Sequence, residues 1–196
     1  MKVVFDVDDT LWGLCKKVYS DLGIDINLMD SFMVAECERL TDDEKKRIIE
    51  AFQNPDTFKN IKWYEGVEEI NQLSELGIEA WIKSNNFGID VRDTKAKELA
   101  EVLTIPSERI ILNLVTASEI QSDKGIDKDV DVFVDDNPRN LASSKAKINI
   151  AIKAPWNTSD SARIILKDKH IIYCSTFMDA IGVIKHMAKL EKDFSV

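Results

Sequence analysis

The chain is poor in the residues that build disulfide frameworks and zinc sites. Its three cysteines, Cys15, Cys37 and Cys174, stand far apart and show no Cys-x-x-Cys spacing. Neither a cystine scaffold nor a thiolate metal centre is therefore expected, and small buried apolar roles account for all three. Histidine is scarcer: His170 and His186 are the only two, both late in the chain, with no metal-ligand spacing and no nucleophile beside them. No apolar run approaches the about 18 uncharged residues that a membrane-spanning helix needs, so no membrane role is expected. The opening Met1-Lys2-Val3-Val4-Phe5-Asp6 turns acidic too early for a secretory signal, and a cytoplasmic location is the expectation. Basic residues are outnumbered, 26 Lys and Arg against 35 Asp and Glu for a net charge of −9, and they are spread along the chain. A nucleic-acid polymer would be repelled by such a surface. A small anion remains open as a ligand, because a metal and local donors can reverse the sign within one pocket.

What is present is a series of short apolar runs that stop at polar residues. They cover residues 3–7, 78–82, 110–115, 130–134, 148–152 and 170–174, and their Val and Ile content reads as buried strands. Helical patterns fill the gaps. Val67, Ile70, Leu73 and Leu76 recur at helical spacing before a stop at Gly77. Residues 90–103 place Val91, Ala96, Leu99, Val102 and Leu103 on another stripe, and residues 178–190 read as a C-terminal helix. This alternation predicts an α/β fold with a doubly wound, mostly parallel sheet covered on both faces. Residues 14–62 break the pattern and read as three helices, 14–22, 30–40 and 42–52, with a Thr41/Glu44 capping box on the third. The expected organisation is a core of residues 1–13 and 63–196 with a small helical insert, 14–62, after the first strand.

The chemically informative residues all fall at carboxyl ends of predicted strands. The first delivers Asp6, Asp8 and Thr10, the second Ser84, the fourth Asp135 and Asp136. In doubly wound sheets, ligands bind outside the carboxyl ends where strand order reverses. An order 3-2-1-4-5 makes strands two, one and four neighbours and brings these groups to one crevice. Several carboxylates there repel each other unless a cation sits among them. Oxygen-only ligands suit Mg²⁺. Asp6 could then attack phosphorus to give an aspartyl-phosphate, and Asp8 could protonate the leaving alkoxide and later activate water. Ser84 and a lysine could hold the phosphoryl oxygens.

Phe5-Asp6-Val7-Asp8-Asp9-Thr10-Leu11, Ser84 after an apolar strand, Lys124, and the pair Asp135-Asp136 together resemble the four motifs of the haloacid dehalogenase superfamily of phosphatases and phosphotransferases. The resemblance covers about Val3 to Pro155. It implies that Asp6 is nucleophile and metal ligand, and that Asp8 is acid/base and lends the metal a backbone carbonyl. It also implies that Asp135 completes the protein's metal ligands, while Asp136 binds through water or anchors the lysine. Ser84 and Asn85 are the implied substrate-binding pair beside that lysine. The lysine is either Lys124, which follows Ser122-Asp123, or Lys128, flanked by Asp127 and Asp129; the flanking acids suit a solvated charge run, so Lys124 is favoured. The insert 14–62 lies where this superfamily places a small cap.

Residues 135–140 (Asp-Asp-Asn-Pro-Arg-Asn) and 148–157 resemble the 5′(3′)-deoxyribonucleotidase branch. That implies a phosphoric monoester hydrolase acting on nucleoside or deoxynucleoside monophosphates, with Trp12, Phe32, Trp63 and Tyr64 as candidates to stack on a base; plain core packing is the competing reading for each. Sugar phosphates and phosphoamino acids are the alternative substrates. Outside phosphate hydrolysis stand a dehalogenase, which the retained Asp8 argues against, and a non-hydrolytic phosphate-accepting or binding module. Receiver domains use similar groups, but in them the lysine comes last.

Overall fold

A computed structural model describes residues 1–115 and 124–193. The order of elements is β1 (Lys2–Phe5), α1 (Leu14–Leu22), α2 (Asp42–Gln53), β2 (Glu79–Asn86), α3 (Ile89–Val102), β3 (Ile110–Leu114), β4 (Val132–Asp135), α4 (Pro138–Ser143), β5 (Ile148–Ile152), α5 (Asp160–Ile165), β6 (Ile171–Cys174) and α6 (Phe177–Asp193). Short 3₁₀ helices interleave them. All strand pairs are parallel and the sheet runs β3-β2-β1-β4-β5-β6, so the expected order holds and a sixth strand extends it beyond β5.

Period-two alternation builds two cores from one sheet. Val3, Phe5, Val132, Val134, Ile150 and Ile152 face the larger apolar cluster, while Val4, Phe133 and Ala151 face the smaller one. The ring of Phe5 lies 5.8 Å from that of Phe177, which ties β1 to α6. The order in which strands are added reverses between β1 and β4, which run parallel. Val3, Val4 and Phe5 register there with Val132, Phe133 and Val134, and the Asp6 amide donates to the Val134 carbonyl at 2.9 Å. No helix among the described residues is long and apolar enough to cross a membrane.

Three local expectations change. First, β2 does not end at Ile82 but runs on through Ser84, Asn85 and Asn86. The ladder to β3 pairs these residues with Leu112, Asn113 and Leu114, and Asn86 Nδ2 also donates to the carbonyls of Ser84 and Asn113. Their polarity belongs to a buried strand end, not to a loop. Second, Val67–Leu76 is a 3₁₀ helix. Its buried Val67, Ile70 and Leu73 repeat every three residues, which stacks them on one edge of a three-residue turn.

Third, the predicted helix over 30–40 is absent. The segment holds only a 3₁₀ turn, Val34–Glu36. Ser31 Oγ accepts from the Met33 amide and donates to Glu36, giving the backbone a local alternative to helix. By contrast, α1 has the expected bounds. The Thr41/Glu44 capping box is present: the Thr41 hydroxyl accepts from the Glu44 amide, and the Glu44 carboxylate accepts from the Thr41 amide at 2.8 Å.

Candidate active site

The sheet's switch point sets the site. β1 ends at Phe5 and delivers Asp6, and the chain then folds tightly: Leu11 N bonds to Val7 O at 2.8 Å, and Asp9 adopts φ 55°. That left-handed conformation is costly for a residue with a Cβ. Asp9 is stabilised in it by both carboxylate oxygens accepting from the Cys15 amide, at 3.0 and 3.1 Å, within the first turn of α1. Asp9 is thus an anchor for the turn. Burial is the main force that pushes its carboxyl up to about 7.

Asp6, Asp135 and Asp136 are all buried, and one carboxylate oxygen from each lies within 4.8 Å of the others. Lys124 joins two of them: its Nζ is 2.5 Å from Asp6 Oδ1 and 2.9 Å from Asp135 Oδ2. The contact with Asp6 is a charge contact without hydrogen-bond geometry, so Oδ1 has no directed donor. Asp135 also accepts from the Asn137 amide at 2.7 Å and from Asn140 Nδ2 at 3.0 Å. Asp136 accepts from Thr10 Oγ1 at 3.3 Å and from the Trp156 indole at 2.8 Å.

Burial above all raises the Asp6 carboxyl to about 7; Lys124 opposes the rise, while Asp135 and Asp8 add to it. Burial, then Asp135 and Asp9, drive Asp136 well above the carboxylate range. Burial disfavours the Lys124 ammonium, but Asp135 and Asp6 outweigh it and its value rises. Three buried carboxyls are therefore left with a single ammonium among them. Their all-oxygen donor set, with free lone pairs on Asp6, fits a divalent cation.

Asp8 is oriented differently from Asp6. Its Oδ1 accepts from the Trp12 indole at 2.9 Å, and its Oδ2 forms an ion pair with Lys95. Lys95 Nζ also donates to Ser84 Oγ at 3.2 Å. Lys95 is almost wholly buried on α3, with its ammonium 5.1 Å from the centre of the Phe58 ring. It is the functional-site residue that the helical pattern concealed. The inward-facing line of α3 is Val91, Lys95 and Leu99, whereas Ala96, expected on that stripe, is exposed. A lysine sitting four residues from each of two buried apolar residues was the available signal.

The structure brings Asp6, Asp8, Ser84, Asn85 and Lys124 to one cavity of about 320 Å³. Asn85 is fixed by Asn113 Nδ2, which donates to its side-chain oxygen at 3.2 Å. Asp135 and Asp136 are not in the cavity lining and adjoin it through the carboxylate cluster they form with Asp6. Of the two candidate lysines, Lys124 reaches Asp6 and Asp135, while Lys128 is exposed. Ser122 and Asp123, which precede Lys124, lie outside the described residues. Of the four aromatic candidates, only Phe32 lines the cavity. Trp12 packs on Trp63 at 4.8 Å and Tyr64 abuts Gly13, all three away from the cavity lining; Trp12 also donates its indole N–H to Asp8. The cavity's other rings, Phe52, Phe58 and Phe87, carried no signal in sequence.

No protein-family model matches the chain, and no curated protein matches it. Solved structures do. A hydrolase from Pseudomonas syringae is 15% identical, with 95% of this chain and 98% of that chain covered at a TM-score of 0.55. A haloacid dehalogenase-like family hydrolase from Streptococcus pneumoniae is 11% identical over 93% and 97% of the two chains, with a TM-score of 0.54. A dehalogenase is 14% identical over 93% and 96%, with a TM-score of 0.51. At these identities the likeness speaks for the fold alone. The chain has the Rossmann-like fold of the haloacid dehalogenase-like hydrolases, with a buried acidic cluster at the carboxyl ends of its central strands.

Proposed function

We propose that the chain is a magnesium-dependent phosphatase of small phosphate monoesters, acting through an aspartyl-phosphate on Asp6. The observation that carries this reading is the meeting of Asp6, Asp8, Ser84 and Lys124 at one cavity, adjoining the cluster of Asp6, Asp135 and Asp136. Carboxylates of Asp6, Asp135 and Asp136 and the backbone carbonyl of Asp8 would hold Mg²⁺. When bound, the ion supplies positive charge that keeps Asp6 ionised and withdraws electrons from a phosphoryl oxygen.

The remaining work falls to the chain's own groups. Ser84 Oγ, Asn85 and the Lys124 ammonium hold the phosphoryl oxygens as charge redistributes. An oxygen of Asp6 attacks phosphorus, the ester P–O bond breaks, and the alkoxide takes a proton from Asp8, which enters this step as the carboxylic acid and not in its ion pair with Lys95. Asp8, now a carboxylate between the Trp12 indole and Lys95, accepts a proton from the water that attacks the aspartyl-phosphate. Inorganic phosphate leaves and Asp6 is regenerated.

Residues 14–62 act as a cap over the core of 1–13 and 63–196, and cap residues set the substrate. Nucleoside and deoxynucleoside monophosphates are the leading substrates, supported by Phe32 in the cavity wall; sugar phosphates and phosphoamino acids are the alternatives. Dehalogenation is disfavoured because it has no need of an acid/base at Asp8, and a halide-release assay separates the two chemistries.

The test is release of phosphate from a generic aryl phosphate with and without Mg²⁺. Activity should require the cation, vanish in Asp6→Asn and persist in Lys128→Met. Equal turnover in Asp6→Asn would overturn the assignment. Screening nucleoside monophosphates against sugar phosphates and phosphoamino acids then reads the substrate class directly.

A further inference from the structure

From the charge of the cavity wall we infer that this site takes the phosphate ester of an uncharged alcohol with an apolar or aromatic body, and rejects esters that carry a second anionic group. The inference deepens the phosphatase reading and rests on it for the phosphate end of the ligand.

The cavity is lined by two unlike sets of residues. One is the acidic floor with Lys124, Ser84 and Asn85. The other is Met29, Phe32, Met33, Phe52, Phe58 and Phe87. Gln53 is uncharged and, with the Cys15 thiol, is all that residues 14–62 add to this wall in polar side chains. The lining contains two cations, Lys95 and Lys124, and both are already in ion pairs, with Asp8 and with Asp6 and Asp135. Lys45 and Lys46 border a separate, open depression on α2, where Asp42 and Glu50 balance them. Residues 116–123 contribute no Lys, Arg or His by sequence. A carboxylate or second phosphate on the leaving group would therefore enter a largely apolar space with no free countercharge, and burying an unpaired anion is unfavourable.

A second feature bears on the polarity of the ligand. Asn86 is 1% exposed and lines the cavity. Its Nδ2 donates to the carbonyls of Ser84 and Asn113, which fixes the orientation of the amide, and its Oδ1 is left buried with no donor. A buried acceptor without a partner is costly, and a hydrogen-bond donor on an uncharged ligand would satisfy it. The lining thus separates the candidates. A nucleoside, uncharged and with a flat aromatic base that carries hydrogen-bond donors, meets both demands, whereas a phosphoamino acid brings a carboxylate that nothing in the lining pairs.

The experiment is a matched pair of ligands that differ in one charge, 4-methylphenyl phosphate and 4-carboxyphenyl phosphate. Calorimetry on Asp6→Asn with Mg²⁺ gives each dissociation constant without turnover, and inhibition constants against a generic aryl phosphate repeat the ranking in the unmodified protein. The methyl ester should bind at least about tenfold more tightly. In Gln53→Lys, which adds a cation to the wall, the gap should narrow or reverse. Equal or tighter binding of the carboxyphenyl ester to the unmodified cavity overturns the inference, as does failure of both to bind at millimolar concentration. A preserved preference without phosphate release by the unmodified protein supports the inference and overturns the phosphatase reading alone.

Discussion

Stripped of divalent cation, this chain should lose stability as pH rises from about 4 to about 7, and Mg²⁺ should restore it most strongly at the high end. The sign follows from Asp6, Asp9 and Asp136, whose carboxyls are all raised, chiefly by burial. A raised carboxyl binds its proton more tightly in the folded state. Its contribution to stability is full below the unfolded value of 3.8 and is lost as pH climbs through the folded value, about 7 for Asp6.

For Asp6 alone the change between these limits corresponds to about 4 kcal/mol. The three groups share one field and do not add independently. A cation bound by Asp6, Asp135 and Asp136 favours their ionised forms, so protons compete with it at low pH. At a hundredfold excess over its dissociation constant a ligand stabilises by about 2.7 kcal/mol. For a chain of this length that raises Tm by about 5–10 °C.

The assay is a thermal melt at pH 5, 6, 7 and 8 with EDTA or MgCl₂. The Mg²⁺-induced rise in Tm should grow with pH and should collapse in Asp135→Asn. A rise no larger at pH 8 than at pH 5, or one untouched by Asp135→Asn, would refute the assignment of the cation to this cluster.

Two further outcomes follow from the side chains around the cluster. Replacing Lys95 with Met leaves Asp8 and Ser84 without their shared donor, and kcat should fall by about 100-fold with a smaller change in KM; steady-state kinetics showing kcat within about twofold of the parent would count against a positioning role. Asn157→Ala removes two buried hydrogen bonds, to the carbonyls of Asp136 and Ile152, and a part-buried one from the Ala154 amide, and should cost about 3 kcal/mol, read as a lower urea midpoint at unchanged slope.

The sequence by itself determined the sheet and the position of its acids. Strand-length runs of Val and Ile bury both faces of a parallel sheet, and the carboxyl end of such a strand is a local feature. Asp6, Ser84 and Asp135 could therefore be assigned to strand ends without any tertiary information. The Thr41/Glu44 box was legible for the same reason: its two bonds span three residues.

Tertiary structure decided what depends on distant partners. Lys95 meets Asp8 across 87 positions of chain; its spacing from Val91 and Leu99 hints at burial, but nothing local to α3 names the carboxylate it will pair with. Lys124 and Lys128 look alike in sequence; only the fold carries one to Asp6 and Asp135 and leaves the other in solvent. The aromatic rings divide in the same way, since hydrophobicity buries a ring without specifying which cavity it faces. Trp12, Trp63 and Tyr64 lie off the cavity lining, Trp12 with its indole on Asp8, while Phe52, Phe58 and Phe87 joined Phe32 at the cavity. Hydrophobic pattern fixes which residues leave water, because that depends on each side chain's own transfer energy. Which of them meet is set by the packing of elements far apart in sequence, and a single chain does not write that out.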